Sequence, residues 1–223
     1  MNNNLNLIYL EDSKDIDILI DKKKFSHLVL LYESIVSTPK INIRINRGAK
    51  CRISLLILCN LDIKMNIDLE ESEGYLDFNS LSIASNENQN IDLNVNHCDT
   101  HTFSQIYCCG VADNQSKIKI HSNVYIKEKM AGVITNQKIK GCLLDNYSIF
   151  EADPILLIDC HDVNASHQTA IGKMNEEALF YLMSRGINKI EARKMLLNSL
   201  ISPVIDTLED EKIKNKILKK IGD

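Results

Sequence analysis

Histidine and cysteine are the side chains here that could hold a metal or move a proton, and they gather in a few places. Ala165-Ser166-His167-Gln168-Thr169-Ala170 sets a histidine at the end of a strand-like stretch. A neutral imidazole there could ligate iron or relay protons near neutral pH; the plainer reading is a surface or interface histidine making one hydrogen bond. His97-Cys98-Asp99-Thr100-His101 brings two imidazoles and a thiol close in sequence, yet structural zinc sites usually need two pairs of ligands. His97 also keeps the phase of Ile91, Leu93 and Val95, which favours a buried histidine and sends Cys98 to the other side. A metal site at His97, Cys98 and His101 is the weaker alternative. Thiolates are natural ligands of iron–sulfur clusters, so Cys108-Cys109 and Cys160-His161 raise the same question. Adjacent residues on a strand point to opposite faces, however, and reduced cysteine packs as a small hydrophobe. Cys51, Cys59 and Cys142 are assigned to packing. Asp159 and Asp162 either orient His167 or form a turn.

These residues need strands to position them. Apolar residues alternate at Leu61, Ile63, Met65, Ile67 and Leu69, at Ile91, Leu93 and Val95, and more briefly at Ile41, Ile43, Ile45 and at Ile118, Ile120, the period of a strand with one buried face. Cys51–Leu58, Tyr75–Phe78, Ser80–Ala84, Gln105–Cys109, Val124–Ile126, Ala131–Thr135, Cys142–Leu144 and Pro154–Ile158 are further candidates, divided by Asn, Asp, Ser and Gly. Irregular spacing with few tight-hairpin dipeptides fits a coiled stack better than a meander, but no clean repeat is visible, so sandwich and β-helix stay close to even. After residue 173 the spacing turns helical. One helix spans about Asn175–Arg185 with Gly186 as its stop, and a second starts at Asn188 with Glu191 in a capping box. Pro203 interrupts or starts the next element, and a third amphipathic helix runs through Ile213, Ile217, Leu218 and Ile221.

The segment Ala165-Ser166-His167-Gln168-Thr169-Ala170-Ile171-Gly172, followed by Glu176-Glu177-Ala178-Leu179-Phe180-Tyr181-Leu182-Met183-Ser184-Arg185-Gly186-Ile187, resembles the C-terminal signature of the SufB/SufD family, scaffold subunits that assemble iron–sulfur clusters. The resemblance implies a right-handed parallel β-helix core, residues 1–172, and a small C-terminal α-helical domain, residues 173–223. The family's N-terminal helical domain is expected to be absent or reduced, since Ile41 to Ala49 already resembles an early rung of the core. It implies a scaffold rather than an enzyme, working with a SufC-like ABC ATPase and pairing with a SufB-like scaffold or a second copy of itself as a dimer. A transient iron–sulfur cluster would sit at the subunit interface, with His167 as this chain's ligand and Phe180, Tyr181 and Arg185 as ATPase contacts. Ser166 stands where a SufB-type chain has glutamate and Ser148 where it has cysteine, which makes the chain SufD-like. Ser104-Gln105-Ile106-Tyr107 matches a family stretch that follows a histidine, giving His97 an interface contact as a second reading.

Composition bounds the alternatives. The chain has 223 residues, 44% hydrophobic and 25% charged, enough for a sizeable core. A net charge of −4 offers no basic face for a nucleic-acid backbone. Met1 to Leu5 has no basic region leading into an apolar run, and no window approaches the ~20 apolar residues of a membrane span; a cytoplasmic protein with no membrane partner is expected. Seven cysteines, an odd number without a secretory signal, favour free thiols. Ile171-Gly172-Lys173-Met174 is similar to the end of a phosphate-binding loop but lacks its upstream glycine and its hydroxyl, so ATP binding is not expected. No Gly-x-Ser-x-Gly elbow is present either. The rival is a β-helix enzyme acting on polysaccharide, for which five phenylalanines and no tryptophan leave few stacking platforms and no acidic pair recurs in register. A non-catalytic partner that only stabilises the ATPase is the third reading.

Overall fold

A computed structural model describes residues 6–34 and 37–222; the Met1–Leu5 segment weighed above lies outside them. Strands β1 (Asn6–Glu11), β2 (Ile16–Ile20), β3 (Phe25–Tyr32), β4 (Lys40–Ile45), β5 (Lys50–Ile57), β6 (Leu61–Leu69) and β7 (Tyr75–Ser85) come first. They are followed by β8 (Asn88–His97), β9 (Phe103–Asp113), β10 (Lys117–Ile126), β11 (Val133–Leu143), β12 (Ile149–Ile158) and β13 (Val163–Lys173), then helices α1 (Glu176–Ser184), α2 (Lys189–Ile205) and α3 (Glu211–Gly222). Odd strands form one parallel sheet in the order β1-β3-β5-β7-β9-β11-β13, and even strands the other, from β2 to β12. The result is a parallel β-solenoid of about six turns, closed on one side by helices.

The coil length drifts. Phe25 pairs with Lys50, Lys50 with Tyr75, Tyr75 with Phe103 and Phe103 with Ile134, so successive turns take 25, 25, 28 and 31 residues. What does repeat is backbone: Lys23, Gly48, Glu73, His101 and Gly132 share a left-handed corner with φ between 55° and 70°. The corners stack by hydrogen bonds from Lys23 N to Arg47 O (3.0 Å), Gly48 N to Ser72 O (3.1 Å), His101 N to Ala131 O (2.9 Å) and Gly132 N to Asp162 O (2.8 Å). Three of the five are not glycine, and each accepts the roughly 1–2 kcal/mol cost of that conformation.

The even-numbered sheet is buried on one face, and its strands alternate: β6 reads buried, exposed, buried, exposed. Its outer face carries an amide ladder. Asn66 Nδ2 donates to Asn42 Oδ1 (3.0 Å), Asn94 to Asn66 (3.4 Å) and Asn123 to Asn94 (3.0 Å), and Asn42 ends the chain by donating to the Asp17 carboxylate (2.9 Å). The odd-numbered sheet is different because α2 and α3 lie on its outside. Leu31, Leu56, Leu81 and Tyr107 pack there against Leu197, Ile201, Val204 and Ile217, each burial contributing about 1.5–3 kcal/mol. Strands buried on both faces need no alternation, which is why β3 reads as a continuous run, and why Tyr75–Phe78 and Ser80–Ala84 are one strand rather than two. Ala131–Thr135 and Cys142–Leu144 likewise fall at the two ends of β11.

Polar pins fix the helices to the sheet: Tyr107 Oη donates to Leu200 O (2.9 Å), Lys220 Nζ to Leu58 O (2.7 Å), and Ser54 Oγ meets Thr207 Oγ1 at 3.0 Å. Asn175 and Asn188 cap α1 and α2 by accepting from Ala178 N and Glu191 N, both at 2.9 Å. Pro203 neither interrupts nor starts a helix; it sits in the last turn of α2, and the Ser199 carbonyl freed by its missing N–H accepts from Ser202 Oγ (3.4 Å). No helix among the described residues is long and apolar enough to cross a membrane.

Candidate functional site

The solenoid stops at an open end. Among the described residues β12 pairs only with β10, and β13 only with β11, so each presents a free edge of backbone donors and acceptors, the kind of edge that invites pairing. Exposed apolar side chains line it: Ile155 is 42% and Leu157 53% exposed, with Ile158 and Ile171 near 40%.

His167 sits on this last strand. It is in register with Gln137 of β11, and in-register residues of parallel strands face the same side. Gln137 lies between Thr135 and Ile139, all buried within the solenoid. His167 therefore points along the inner face, yet it is exposed because no further coil covers it. Asp159 and Asp162 do not orient it. Asp159 accepts from Tyr125 Oη (2.9 Å) and Asp162 belongs to the corner stack, at the far end of a strand that puts His167 about 13 Å beyond Val163.

The other candidates do not join it. His97 is fully buried in the interior, its Nδ1 2.7 Å from Thr102 Oγ1 and its Nε2 2.9 Å from Ser104 Oγ. Thr102 gives its own proton to Asp99 O (3.2 Å), so it must accept from Nδ1–H, and Nε2 must accept from Ser104. Ser104 in turn accepts from Thr135 Oγ1 (2.7 Å). Both ring nitrogens are engaged, and burial pushes the imidazole pKa down to about 4. Cys98 is half-buried outside the core with its thiol raised by burial. His101 occupies a left-handed corner with its ring over Gly132, where an added Cβ would lie 2.7 Å from Cδ2. His97, Cys98 and His101 thus serve three separate places, and among the described residues no three His, Cys, Asp or Glu side chains converge as a metal site.

Cys108 faces the interior and Cys109 the helices, opposite sides of one strand. Burial pushes Cys108 and Cys51 up to about 12 and raises Cys109 further, leaving them protonated at neutral pH, whereas the thiolate is the ligand. Cys160 is half-buried at the margin of the core and His161 exposed.

A second surface is formed by α1, which has no buried residue and meets the rest of the chain mainly through α2. Phe180 is 73% and Tyr181 56% exposed. Arg185 lies over the Tyr181 ring, 5.2 Å from its centroid, with Nη2 3.3 Å from Tyr181 Oη, so aromatic and guanidinium groups are offered together. Sequence reasoning missed Gln137. Its only signal is an amide at an apolar phase, and that becomes meaningful once the register places it under His167.

Residues 23–200 match the family model described as "SUF system FeS cluster assembly, SufBD core domain". Among curated proteins, the chain is 36% identical over 85 residues to the iron–sulfur cluster assembly protein SufD of Bacillus subtilis, covering 38% of this chain and 20% of that protein. It is 33% identical over 94 residues to SufD of Escherichia coli, covering 42% and 22%. To SufB of Bacillus subtilis it is 29% identical over 135 residues, covering 59% and 29%. The matches thus span less than a third of those relatives' own lengths.

Proposed function

Since the chain belongs to the SufBD core family of the iron–sulfur cluster assembly system, we propose that it is a scaffold subunit on which a cluster is built as cargo between two paired solenoids. The observation that carries this reading is His167 on the inner face of the last, one-sided strand, at an edge lined with exposed apolar residues. A SufB-like chain, or a second copy of this one, would cover β12 and β13, remove their free edges from water and bring thiolates or carboxylates to His167. A lone imidazole cannot hold a cluster, so the ligand set is shared. His167 would offer a neutral ring nitrogen, and exclusion of water by the paired edges would protect sulfide and iron.

The chain itself would be no enzyme. Hydrolysis would belong to a SufC-like ABC ATPase docked on α1 and α2 through Phe180, Tyr181 and Arg185, aromatic and guanidinium groups being frequent anchors of interfaces. Its closure would rearrange the paired scaffolds and expose or assemble the cluster site in the cytoplasm. The outer face of the even-numbered sheet favours this over a polysaccharide-cleaving β-helix: its central row is the Asn42–Asn66–Asn94–Asn123 amide ladder rather than a pair of carboxylates.

Co-expression with a SufC-like ATPase and a SufB-like chain, followed by native mass and by iron and sulfide analysis, tests the reading. The assembled complex should retain both elements. His167→Ala should lower them without changing mass, and Phe180→Ala with Tyr181→Ala should release the ATPase. Unchanged iron and sulfide in His167→Ala overturn the cluster role, and unchanged ATPase affinity overturns the docking surface.

A further inference from the structure

Beneath His167 lies a buried carboxamide whose oxygen is unpartnered. Gln137 is 2% exposed, and its Nε2 donates to Ile155 O at 3.1 Å. A carbonyl only accepts, so the amide nitrogen must be on that side and Oε1 on the other. Oε1 has no hydrogen-bond partner among the described residues, a state that costs about 1–3 kcal/mol for a buried acceptor. Nearby protons are already committed: Thr135 gives its hydroxyl proton to Ser104, which gives its own to His97. Ile106, the neighbour of Gln137 in the coil before, is apolar. The neighbour in the coil after is His167, on the same face and about 4.8 Å away along the sheet.

We propose that Gln137 is the positioning residue for His167: its Oε1 accepts the imidazole N–H and so holds the ring over the open end in one tautomer. A neutral imidazole has one N–H and one lone pair. Tying the N–H inward to a fixed amide leaves the lone pair on the second nitrogen free to face outward. Ligand histidines are commonly oriented by such a carbonyl behind them. The Ile155 carbonyl completes the device by locking the amide itself, so a strand of each sheet contributes. Only the consequence for cargo rests on the scaffold reading; the contact between Gln137 and His167 does not.

The test uses the full chain labelled with 15N, at one pH where His167 is neutral. Long-range proton–nitrogen spectra should show a single His167 tautomer with a protected N–H. Gln137→Met, of similar length and apolar, should lose that protection and give the mixture of a free imidazole, while Gln137→Glu, which keeps an acceptor, restores a protected N–H. His97, with both nitrogens engaged, reports folding and should be unchanged throughout. Iron retained by the assembled complex should fall about tenfold or more in Gln137→Met. An unaltered His167 N–H in Gln137→Met, with His167→Ala still losing iron, overturns the positioning role and leaves the scaffold reading intact. Loss of the N–H in Gln137→Met, with iron retention unchanged there and in His167→Ala, overturns the scaffold reading and leaves the contact standing.

Discussion

Gly141→Ala should loosen the open end through a single ring. An ideal Cβ on Gly141 would lie 2.7 Å from both Cδ2 and Cγ of Phe150 and 2.9 Å from its Cε2, and one on Gly110 would lie 2.7 Å from Cε2. Phe150 is thus seated over two glycines of adjacent coils. Neither glycine needs a left-handed backbone, so the penalty for alanine is steric. Carbon atoms in good contact sit about 3.5–4.0 Å apart, which asks the ring to retreat by about 0.8–1.3 Å. It has little room, being 8% exposed and packed in the solenoid core, and its strand β12 ends its sheet, paired with β10 on one side. Overpacking of this kind costs about 1–3 kcal/mol, or about 2–12 °C in Tm for a chain of this size. Urea and thermal unfolding of Gly141→Ala, Phe150→Ala and the double variant form a cycle. Truncating Phe150 removes every atom that collides, Cγ included, so Gly141→Ala should cost less in its absence, with a coupling of about 1–2 kcal/mol. Full stability in Gly141→Ala, or an equal cost with and without Phe150, would refute this packing.

Three further outcomes follow from the interior and the helix layer. His97 has a folded pKa of about 4 against an ordinary 6.5, so the unfolded chain alone takes up a proton between those values. Its contribution is complete above pH 6.5 and is lost as pH falls toward 4, by about 3 kcal/mol; unfolding midpoints at pH 7 and 4.5 should converge in His97→Asn. Ile217 is fully buried between α3 and the sheet, and Ile217→Ala should cost about 2–5 kcal/mol and raise hydrogen exchange in α3 while the solenoid strands stay protected. Cys51, Cys108 and Cys109, buried and held as thiols, should resist alkylation at pH 8 until the chain unfolds; rapid labelling of any of them in the native protein would contradict their placement.

How much of this was legible depends on which face of a strand meets water. The even-numbered sheet is solvated outside, and its period of two stands in the sequence at Leu61–Leu69 and Ile91–Val95, where β6 and β8 lie. The odd-numbered sheet is covered by α2 and α3, and no alternation survives in Phe25–Tyr32, so β3 went unnoticed as a strand. The same covering explains why Cys109 and Tyr107, neighbours in phase, carry no outward polarity. The coil repeat was hidden for a second reason: it is written in φ rather than in residue type, with Lys23, Glu73 and His101 in corners that Gly48 and Gly132 fill elsewhere, and its length drifts with each insertion at a corner.

The same distinction separates the two halves of the candidate site. His167 stood out because it closes a motif of fixed spacing before a capped helix, a local pattern that a linear reading can hold. Gln137 stands thirty positions earlier in register terms, and alone it is only a polar residue spoiling an apolar phase between Thr135 and Ile139. A parallel solenoid converts that long separation into one strand spacing, about 4.8 Å, so the residue we propose to position His167 comes from the coil beneath rather than from its own motif. In such a fold, the residues beneath a site are found by adding the local coil length, and a coil length that varies from 20 to 32 residues keeps them out of reach until the register is known.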